Sequence, residues 1–255
     1  MSSVTLATHC HSRDLPRLHA PGVLEELISC HQYPFDKVLV IHQRTGDGLT
    51  RLPTKHNNIS LINVSVEDYP VVLGKFGIPH LDPILSELTH GWNAPHYYEH
   101  HCINHCTEIL SCETDYIAFT DADCRIINQP DSWVAKGIKI LEKYQEAFIV
   151  APSDGGQEFS FMADGCRFTQ TVSQQIFMGK TKQLKQLDFT NLQWDGQFDA
   201  PYGPFQEFYG LFEGWMFRYM RANGLYRAVL PPEYRYWHFN KTTQDGQIET
   251  DMSKY

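Results

Sequence analysis

Tyr116-Ile117-Ala118-Phe119-Thr120-Asp121-Ala122-Asp123 is the stretch of the chain that decides the fold. Its first five residues are apolar, aromatic or β-branched and carry no charge, which predicts a buried strand over 116–120. Two carboxylates follow at once, separated by a single small residue. In an open α/β sheet, ligands bind at the carboxyl ends of the strands, near the point where the strand order reverses. The stretch therefore predicts a buried strand that delivers two acidic groups to a ligand-binding edge.

Short apolar runs alternate with longer helical stretches on both sides of this strand, as in βαβ units. Further strands are predicted at 4–8, 37–42, 59–64, 147–151 and 226–230, and a strand pair around 159–162 and 175–178. Helices are predicted at 14–28, 96–112, 133–144 and 206–222, with irregular structure and short helices at 67–95. We expect an α/β fold with a mostly parallel central sheet flanked by helices. It forms a single domain, with a nucleotide-binding half at about 1–125 and an acceptor-binding half at about 126–255.

Charge and hydropathy exclude several classes of protein. The 255 residues include 21 Lys and Arg against 30 Asp and Glu, so the net charge is −9. A negative surface repels phosphate backbones, and a generic nucleic-acid binder is not expected. Neither a signal-peptide pattern nor 18 consecutive apolar residues occurs in the sequence, so we expect no transmembrane segment and a cytoplasmic location.

Motifs of other nucleotide and metal proteins are missing from the sequence. It contains neither G-x-x-x-x-G-K-[ST] nor G-x-G-x-x-G, so the P-loop and the dinucleotide fingerprint have no support. The seven cysteines form no C-x-x-C pair, and we expect most of them to be reduced thiols used as small apolar residues.

Asp121 and Asp123 can approach a common hard cation, because only one small residue separates them. Such cations typically bridge an enzyme to a diphosphate. The alternative is that the two carboxylates simply end a strand in solvent.

The context of this D-x-D resembles that of the GT-A glycosyltransferases, most nearly the family 2 type. A first strand leads into T-x-x-x-x-R-D at 8–14, and an acidic residue, Glu213, opens a late helix. Gly224, the segment Val229-Leu230-Pro231-Pro232 and His238 then follow in the order typical of that family. The resemblance covers roughly the whole chain.

The resemblance implies a nucleotide-diphosphate sugar as donor, expected to be a UDP-sugar, and a hydroxyl acceptor on a glycan or glycoconjugate. It implies that Asp121 contacts the ribose or donor sugar and that Asp123 coordinates the metal on the diphosphate. His238 would complete the metal site, and an imidazole beside carboxylates suits Mn²⁺ better than Mg²⁺. Residues bordering the base and phosphates would be Thr8, His9 and Arg13.

The sequence departs from the family pattern at two places. The acidic residue that commonly contacts uracil is replaced by Ile41-His42-Gln43, with Asp47 later, which leaves the nucleobase open. The usual Glu-Asp pair reads Glu213-Gly214. The acceptor base is therefore Glu213, another residue such as Glu207, or absent, as in retaining relatives.

Glu213 lies off the apolar stripe predicted for its helix, which runs through 208, 211, 212, 215 and 219. It is therefore free to face an acceptor hydroxyl and deprotonate it. The alternative is a solvent-exposed Glu in the first turns, stabilised by the helix dipole.

The helix predicted at 96–112 carries a second candidate site. Four-residue spacing places His101 and His105 side by side, with Glu108 one turn on, which is compatible with zinc. Cys102 and Cys106 fall on the apolar side, so they are predicted to lie in the core rather than bind the same ion. The full cluster is His96, His100, His101, Cys102, His105 and Cys106.

Two other functions remain open at this point. A sugar nucleotidyltransferase would use similar groups, but that class usually has a Gly-rich loop after its first strand, and 8–14 contains no Gly. A non-catalytic sugar- or metal-binding protein of the same fold is the third hypothesis. The loop 193–206, which contains Trp194 and Tyr202, is the predicted acceptor site.

Overall fold

A computed structural model describes residues 2–11, 18, 20–43, 57–78, 97–153, 155, 159–173, 175–192 and 212–238. For His238 it describes the backbone alone. Predicted features that lie outside the described residues include Arg13, Asp47, His96, Glu207 and the acceptor loop 193–206.

The described strands and helices alternate along most of the chain. The strands are β1 (Val4–His11), β2 (Lys37–Gln43), β3 (Ile59–Val64), β4 (Tyr116–Thr120), β5 (Cys124–Asn128), β6 (Ala147–Ala151), β7 (Phe161–Ala163), β8 (Cys166–Thr169), β9 (Ile176–Lys180), β10 (Tyr226–Val229) and β11 (Arg235–His238). The α-helices are α1 (Val23–Ser29), α2 (Tyr69–Gly74), α3 (Tyr97–Ser111), α4 (Trp133–Lys143), α5 (Thr181–Leu184) and α6 (Phe212–Ala222), and a short 3₁₀-helix covers Val66–Asp68. Within this part of the chain, no helix has the length and apolar character needed to cross a bilayer.

The central sheet has nine strands in the order β3-β2-β1-β4-β9-β6-β10-β8-β7. Strands β3, β2, β1 and β4 run parallel, as do β6 and β10, whereas β9 lies antiparallel between β4 and β6. β8 pairs antiparallel with both β10 and β7. A separate ribbon joins β5 to β11. The predicted α/β class with a mostly parallel sheet is confirmed.

The inner strands of the sheet, such as β4 and β6, bury both faces, because their alternate side chains enter two different cores. Along β4, Ile117 and Phe119 belong to the core that also holds residues of α2, α3 and α6. Tyr116 and Ala118 belong to the opposite core, together with residues of α1 and α4. The sheet is therefore sandwiched between two helical layers, and its functional groups must lie at its edges or strand ends.

Several sequence predictions agree with the structure and others do not. The strands predicted at 59–64, 116–120 and 147–151 are observed with those bounds. A continuous helix over 14–28, as predicted, is excluded by Gly22, whose φ of 86° is incompatible with a helix, and α1 covers Val23–Ser29. Residues 14–17 and 19 lie outside the described residues. The predicted pairing of 159–162 with 175–178 is wrong, because β7 pairs with β8 whereas β9 pairs with β4 and β6.

The sheet order places β1 between β2 and β4, so the chain reverses its direction of winding at β1 and β4. A crevice forms at such a reversal, because the connections from the two strands leave in opposite directions. The carboxyl ends of β1 and β4 therefore form the edge at which a ligand is expected.

His31 follows α1 and is fully buried against α4. Trp133 Nε1 donates a hydrogen bond to His31 Nδ1 at 2.9 Å. Burial, assisted by the positive charge of Arg125, lowers the pKa of His31 from 6.5 to about 3. The folded protein therefore holds this imidazole neutral, with its Nδ1 as an acceptor.

We expect the wild-type protein to lose stability as the pH falls from 6.5 towards 3, relative to His31→Gln. The unfolded chain takes up a proton in this range that the folded chain excludes, which contributes a slope of about 1.4 kcal/mol per pH unit. The Gln amide oxygen can accept the same hydrogen bond from Trp133 without titrating. Urea unfolding of both proteins between pH 7 and pH 4 measures the difference, and parallel free-energy curves would contradict the prediction.

Candidate functional site

Asp121 and Asp123 lie in the tight turn between β4 and β5. The Asp121 amide donates to the Gln175 carbonyl at 2.8 Å, which extends the β4–β9 ladder by one bond. The Cys124 amide then donates back to the Asp121 carbonyl at 3.0 Å and closes the turn. Both aspartates are partly exposed, whereas Ala122 and Cys124 are buried. The turn therefore buries Ala122 and Cys124 and exposes part of both carboxylates at the edge of the sheet.

Arg125 fixes this turn from beneath. Its buried guanidinium donates from Nη1 to the Ala122 carbonyl at 2.9 Å and to the Cys124 carbonyl at 2.8 Å. Its Nε lies 3.5 Å from Glu26 Oε1. A charged donor bridging two carbonyls of one turn restricts the backbone between them. The sequence patterns did not single out Arg125, because a basic residue after D-x-D has no local feature that distinguishes it from a surface residue.

His9 stands beside Asp121 because their strands are neighbours in register. Ala7 pairs with Phe119 in the parallel β1–β4 ladder, so the residues two positions further on leave the sheet side by side. His9 Nε2 lies 3.4 Å from Asp121 Oδ1. The edge of the sheet thus combines two carboxylates with an imidazole.

A buried carboxylate faces the other side of the His9 ring. Glu108 of α3 is fully buried, and its Oε1 lies 3.2 Å from His9 Nδ1. Its Oε2 lies 3.1 Å from Nδ1 of His105, one turn earlier on the same helix. The His105 ring packs among aromatic side chains, with ring centroids at 4.7 Å to Phe212 and 5.4 Å to Phe119. Each oxygen of this carboxylate therefore has its own imidazole partner.

The charges in this group compensate one another. Burial lowers the pKa of His9, but the carboxylates of Glu108, Asp121 and Asp123 outweigh burial and raise it to about 9. Burial raises the pKa of Glu108, but the two imidazoles outweigh burial and hold it below its usual range. Burial lowers the pKa of His105 against the attraction of Glu108. An imidazolium, a carboxylate and a neutral imidazole thus share the interior with no net charge.

The D-x-D turn offers ligand atoms for a cation. Side-chain ligand atoms of Asp121, Asp123 and Cys124 all lie within 4.8 Å of one another. Burial raises the pKa of the Cys124 thiol well above its usual range, and a protonated thiol is a poor metal ligand. The two carboxylates remain, and oxygen ligands suit Mg²⁺ and Mn²⁺. These residues therefore fit a hard divalent cation.

His238 meets this turn through the backbone. It is the last residue of β11 and pairs with Cys124 in the antiparallel ladder of β5 and β11. His238 is 114 positions later in the chain than Cys124, yet it pairs with Cys124, the residue that follows Asp123. Its role as a metal ligand stays a prediction.

Thr8 and His9 lie within β1 rather than in the loop after it, which corrects their predicted position. The Thr8 side chain is fully buried, and its hydroxyl has no hydrogen-bond partner among the described residues. The contact of Thr8 with a nucleotide stays a prediction.

Glu213 lies in the first turn of α6 and is 9% exposed, so the solvent-exposed alternative is wrong. The neighbouring Phe212 ring packs on His105, so this end of the helix lies next to the buried group around Glu108. The predicted stripe is correct for Phe212 and Trp215, but the helix buries residues on its other faces too. Glu213 is therefore a buried acidic residue, and not a solvent-exposed residue at the end of a helix.

The sequence prediction for the histidine and cysteine cluster of α3 is confirmed for its two cysteines. Cys102 and Cys106 are buried in the core, which confirms their structural role. His105 and Glu108 come together with His9, and the ligand atoms of these three residues lie within 4.8 Å of one another. The i, i+3 spacing in the sequence indicates that His105 and Glu108 lie together, whereas no local pattern connects either residue to His9. The side chains of His96, His100 and His101 lie outside the described residues.

The sequence matches no protein-family model, and no curated protein is similar to it in sequence. Similar solved structures include the galactosyltransferase LgtC in complex with donor and acceptor sugar analogs. It is 12% identical over 88% of this chain and 72% of that chain, with a TM-score of 0.43. S. aureus TarS 1–349 in complex with UDP-GlcNAc is 13% identical over 95% and 60%, with a TM-score of 0.47. Mouse xyloside xylosyltransferase 1 is 8% identical over 90% and 84%, with a TM-score of 0.48. A galactosyltransferase and a xylosyltransferase are thus among the similar chains, and the likeness concerns the fold alone.

Proposed function

We propose that the protein is a metal-dependent glycosyltransferase that moves a sugar, typically a hexose, from a nucleotide-diphosphate sugar to a hydroxyl acceptor. The observation that carries the proposal is the pair of carboxylates, Asp121 and Asp123, presented together at the switch point of a mostly parallel sheet. The donor is expected to be a UDP-sugar and the acceptor a glycan or glycoconjugate. From the sequence, we also propose a nucleotide-binding half at about 1–125, an acceptor-binding half at about 126–255 and a cytoplasmic location.

Asp123, with His238, would hold Mn²⁺ or Mg²⁺ on the donor diphosphate. The cation, when bound, supplies positive charge that offsets the charge developing on the leaving diphosphate. Arg125 holds the turn, so that the carboxylates are ordered before the donor arrives. A preorganised site of this kind costs little reorganisation during the reaction.

Asp121 would accept hydrogen bonds from the ribose or donor sugar, and His9 would face the phosphates from the neighbouring strand. Because His9 lies between Glu108 and Asp121, its ring is held from both sides. Its pKa of about 9 gives it a positive charge at neutral pH, which complements an anionic donor. Thr8 and Arg13 are proposed to border the base and phosphates.

Glu213 is the proposed acceptor base. Its low exposure shields it from bulk water, an environment in which a carboxylate can be tuned for proton transfer. The first turn of α6 lies close to the buried group around Glu108, through the packing of Phe212 on His105. Glu213 would remove the proton of the acceptor hydroxyl if the reaction inverts the anomeric configuration.

The experiment that tests the function is calorimetry with UDP-, GDP-, CMP- and dTDP-sugars, each with and without Mn²⁺. We expect one nucleotide class to bind, and to bind much more tightly with Mn²⁺. Glu113→Gln is the matched control, because that side chain is 83% exposed and precedes β4, at the opposite end of the strand from the D-x-D turn. A protein that binds no nucleotide sugar under any of these conditions would overturn the proposal.

The reaction products distinguish the proposed transferase from a sugar nucleotidyltransferase and from a non-catalytic binding protein. Release of nucleoside diphosphate from the bound donor supports glycosyl transfer, with water as a slow acceptor. Pyrophosphate formation from a nucleoside triphosphate and a sugar phosphate would indicate a nucleotidyltransferase instead. Binding of a donor that is never turned over by any acceptor or by water would indicate a non-catalytic binding protein.

We expect His238→Ala to weaken Mn²⁺ binding, because the β5–β11 ladder brings the backbone of this residue to the D-x-D turn. Pulsed EPR of the Mn²⁺-loaded protein is expected to show a ¹⁴N coupling that the variant loses. His31→Gln serves as the control, since that imidazole is fully buried and its Nδ1 accepts a hydrogen bond from Trp133. An unchanged nitrogen coupling and Mn²⁺ affinity in His238→Ala would remove His238 from the site.

A further inference from the structure

Buried ionised carboxylates are rare in proteins unless they are paired, because burial without compensation is costly. Glu108 is fully buried on α3 and belongs to none of the predicted donor contacts. Its two partners are both imidazoles, one on its own helix and one on β1. The hydrogen bond to His9 joins residues 99 positions apart. The group thus ties a core helix to the strand that borders the candidate donor site.

We propose that Glu108, backed by His105, is a positioning residue of the donor site and fixes the His9 ring against Asp121. The inference rests on the proposed function for its donor role. We name the three side chains Glu108, His105 and His9 the buried clamp.

The geometry of the clamp determines the orientation of one ring. Glu108 Oε1 accepts from His9 Nδ1 at 3.2 Å, and the opposite ring nitrogen, Nε2, lies 3.4 Å from Asp121 Oδ1. A histidine ring held at Nδ1 by a carboxylate has a fixed orientation, as in the outer shells of metal sites. His9 therefore presents Nε2 to the edge where the diphosphate is proposed to bind.

His105 supports the clamp from behind. It occupies the second oxygen of Glu108 at 3.1 Å, so the carboxylate cannot rotate away from His9 without losing that bond. The aromatic rings of Phe119, Phe177 and Phe212 surround the His105 imidazole at centroid distances of 4.7 to 5.7 Å. Close packing of this kind restricts its rotamers.

The test is a double-mutant cycle in the affinity for the donor, measured by calorimetry with Mn²⁺. We expect Glu108→Ala to raise the donor Kd about tenfold to a hundredfold, the usual effect of losing an outer-shell partner. In the His9→Gln background, the same change should have no further effect, because Glu108 acts through the His9 ring. An equal loss in both backgrounds would overturn the proposal.

Cys106→Ala is the matched control, because it shortens a fully buried side chain of the same helix whose thiol makes no hydrogen bond to the clamp. We expect it to lower the free energy of unfolding and leave the donor Kd unchanged. His105→Phe is the second clamp variant; it keeps a ring among the phenylalanines and should raise the donor Kd, as Glu108→Ala does. A donor Kd in His105→Phe equal to that of the wild type would remove His105 from the clamp.

A readout without donor separates this inference from the proposed function. ¹⁵N spectra of the histidine rings should show a protected His9 Nδ1 proton in the wild type and in Cys106→Ala, and its loss in Glu108→Ala, which removes the acceptor. A wild type that binds no nucleotide sugar would overturn the proposed function and the donor role of the clamp, while these spectra still report whether Glu108 holds His9. One equivalent of tightly bound zinc, lost in both His9→Gln and His105→Gln, would instead make Glu108 a metal ligand and overturn the clamp.

Discussion

Asp123→Ala is expected to abolish Mn²⁺-dependent donor binding and to lower turnover at least about a thousandfold. A cation on a transferring phosphate group contributes several kcal/mol of charge stabilisation, and each 1.4 kcal/mol corresponds to a factor of ten in rate. The side chain lies in the exposed part of the turn between β4 and β5, so its removal leaves the core intact. Calorimetry with donor and Mn²⁺, together with steady-state rates, measures both effects.

Two comparisons make this prediction specific. Asp121→Ala is expected to be inactive but to retain Mn²⁺ binding, because its proposed partner is the ribose or donor sugar. Glu113→Gln, at an exposed position, is expected to behave like the wild type. Normal turnover by a folded Asp123→Ala protein would contradict the proposed mechanism, and circular dichroism with thermal unfolding verifies that the variant is folded.

Glu213→Gln is expected to bind the donor normally but to lose at least about a hundredfold in turnover. Loss of a general base typically costs about 10²–10⁴ in rate, and the isosteric amide keeps the packing of the first turn of α6. A group that acts only in the transition state lowers kcat and leaves donor affinity unchanged. Donor Kd by calorimetry and kcat with a saturating acceptor separate the two effects.

The stereochemistry of the product decides the outcome of this prediction. Inversion of the anomeric configuration together with the loss of turnover would support Glu213 as the base. Retention of the donor's configuration, with normal turnover by Glu213→Gln, would show that the base assignment is wrong and favour a retaining mechanism. NMR of the first-formed product distinguishes the two anomers, and Glu113→Gln again serves as the exposed Glu-to-Gln control.

Local pattern was sufficient wherever a strand is buried on both faces. Residues 116–120 form a continuous buried run that ends where Asp121 begins, so composition alone marks both limits of β4. The same holds for 147–151, and the bounds of 59–64 were also predicted, although that edge strand is mostly only partly buried. Prediction from local pattern fails for β5, β8 and β11, which are short and are stabilised mainly by the strands beside them. In such strands the neighbour supplies the preference for extended structure.

The sequence by itself determined the α/β class, the position of the D-x-D carboxylates at a strand end and the core role of Cys102 and Cys106, since each follows from local periodicity. Only the tertiary structure decided that Glu108 joins His105 to His9, that Arg125 holds the turn and that Glu213 is buried. Periodicity shows which face of an element is apolar, but a charged group can be buried on any face where distant residues compensate its charge. Those partners are brought together by the order of strands in the sheet, which sets β1 against β4 and lays α3 across them.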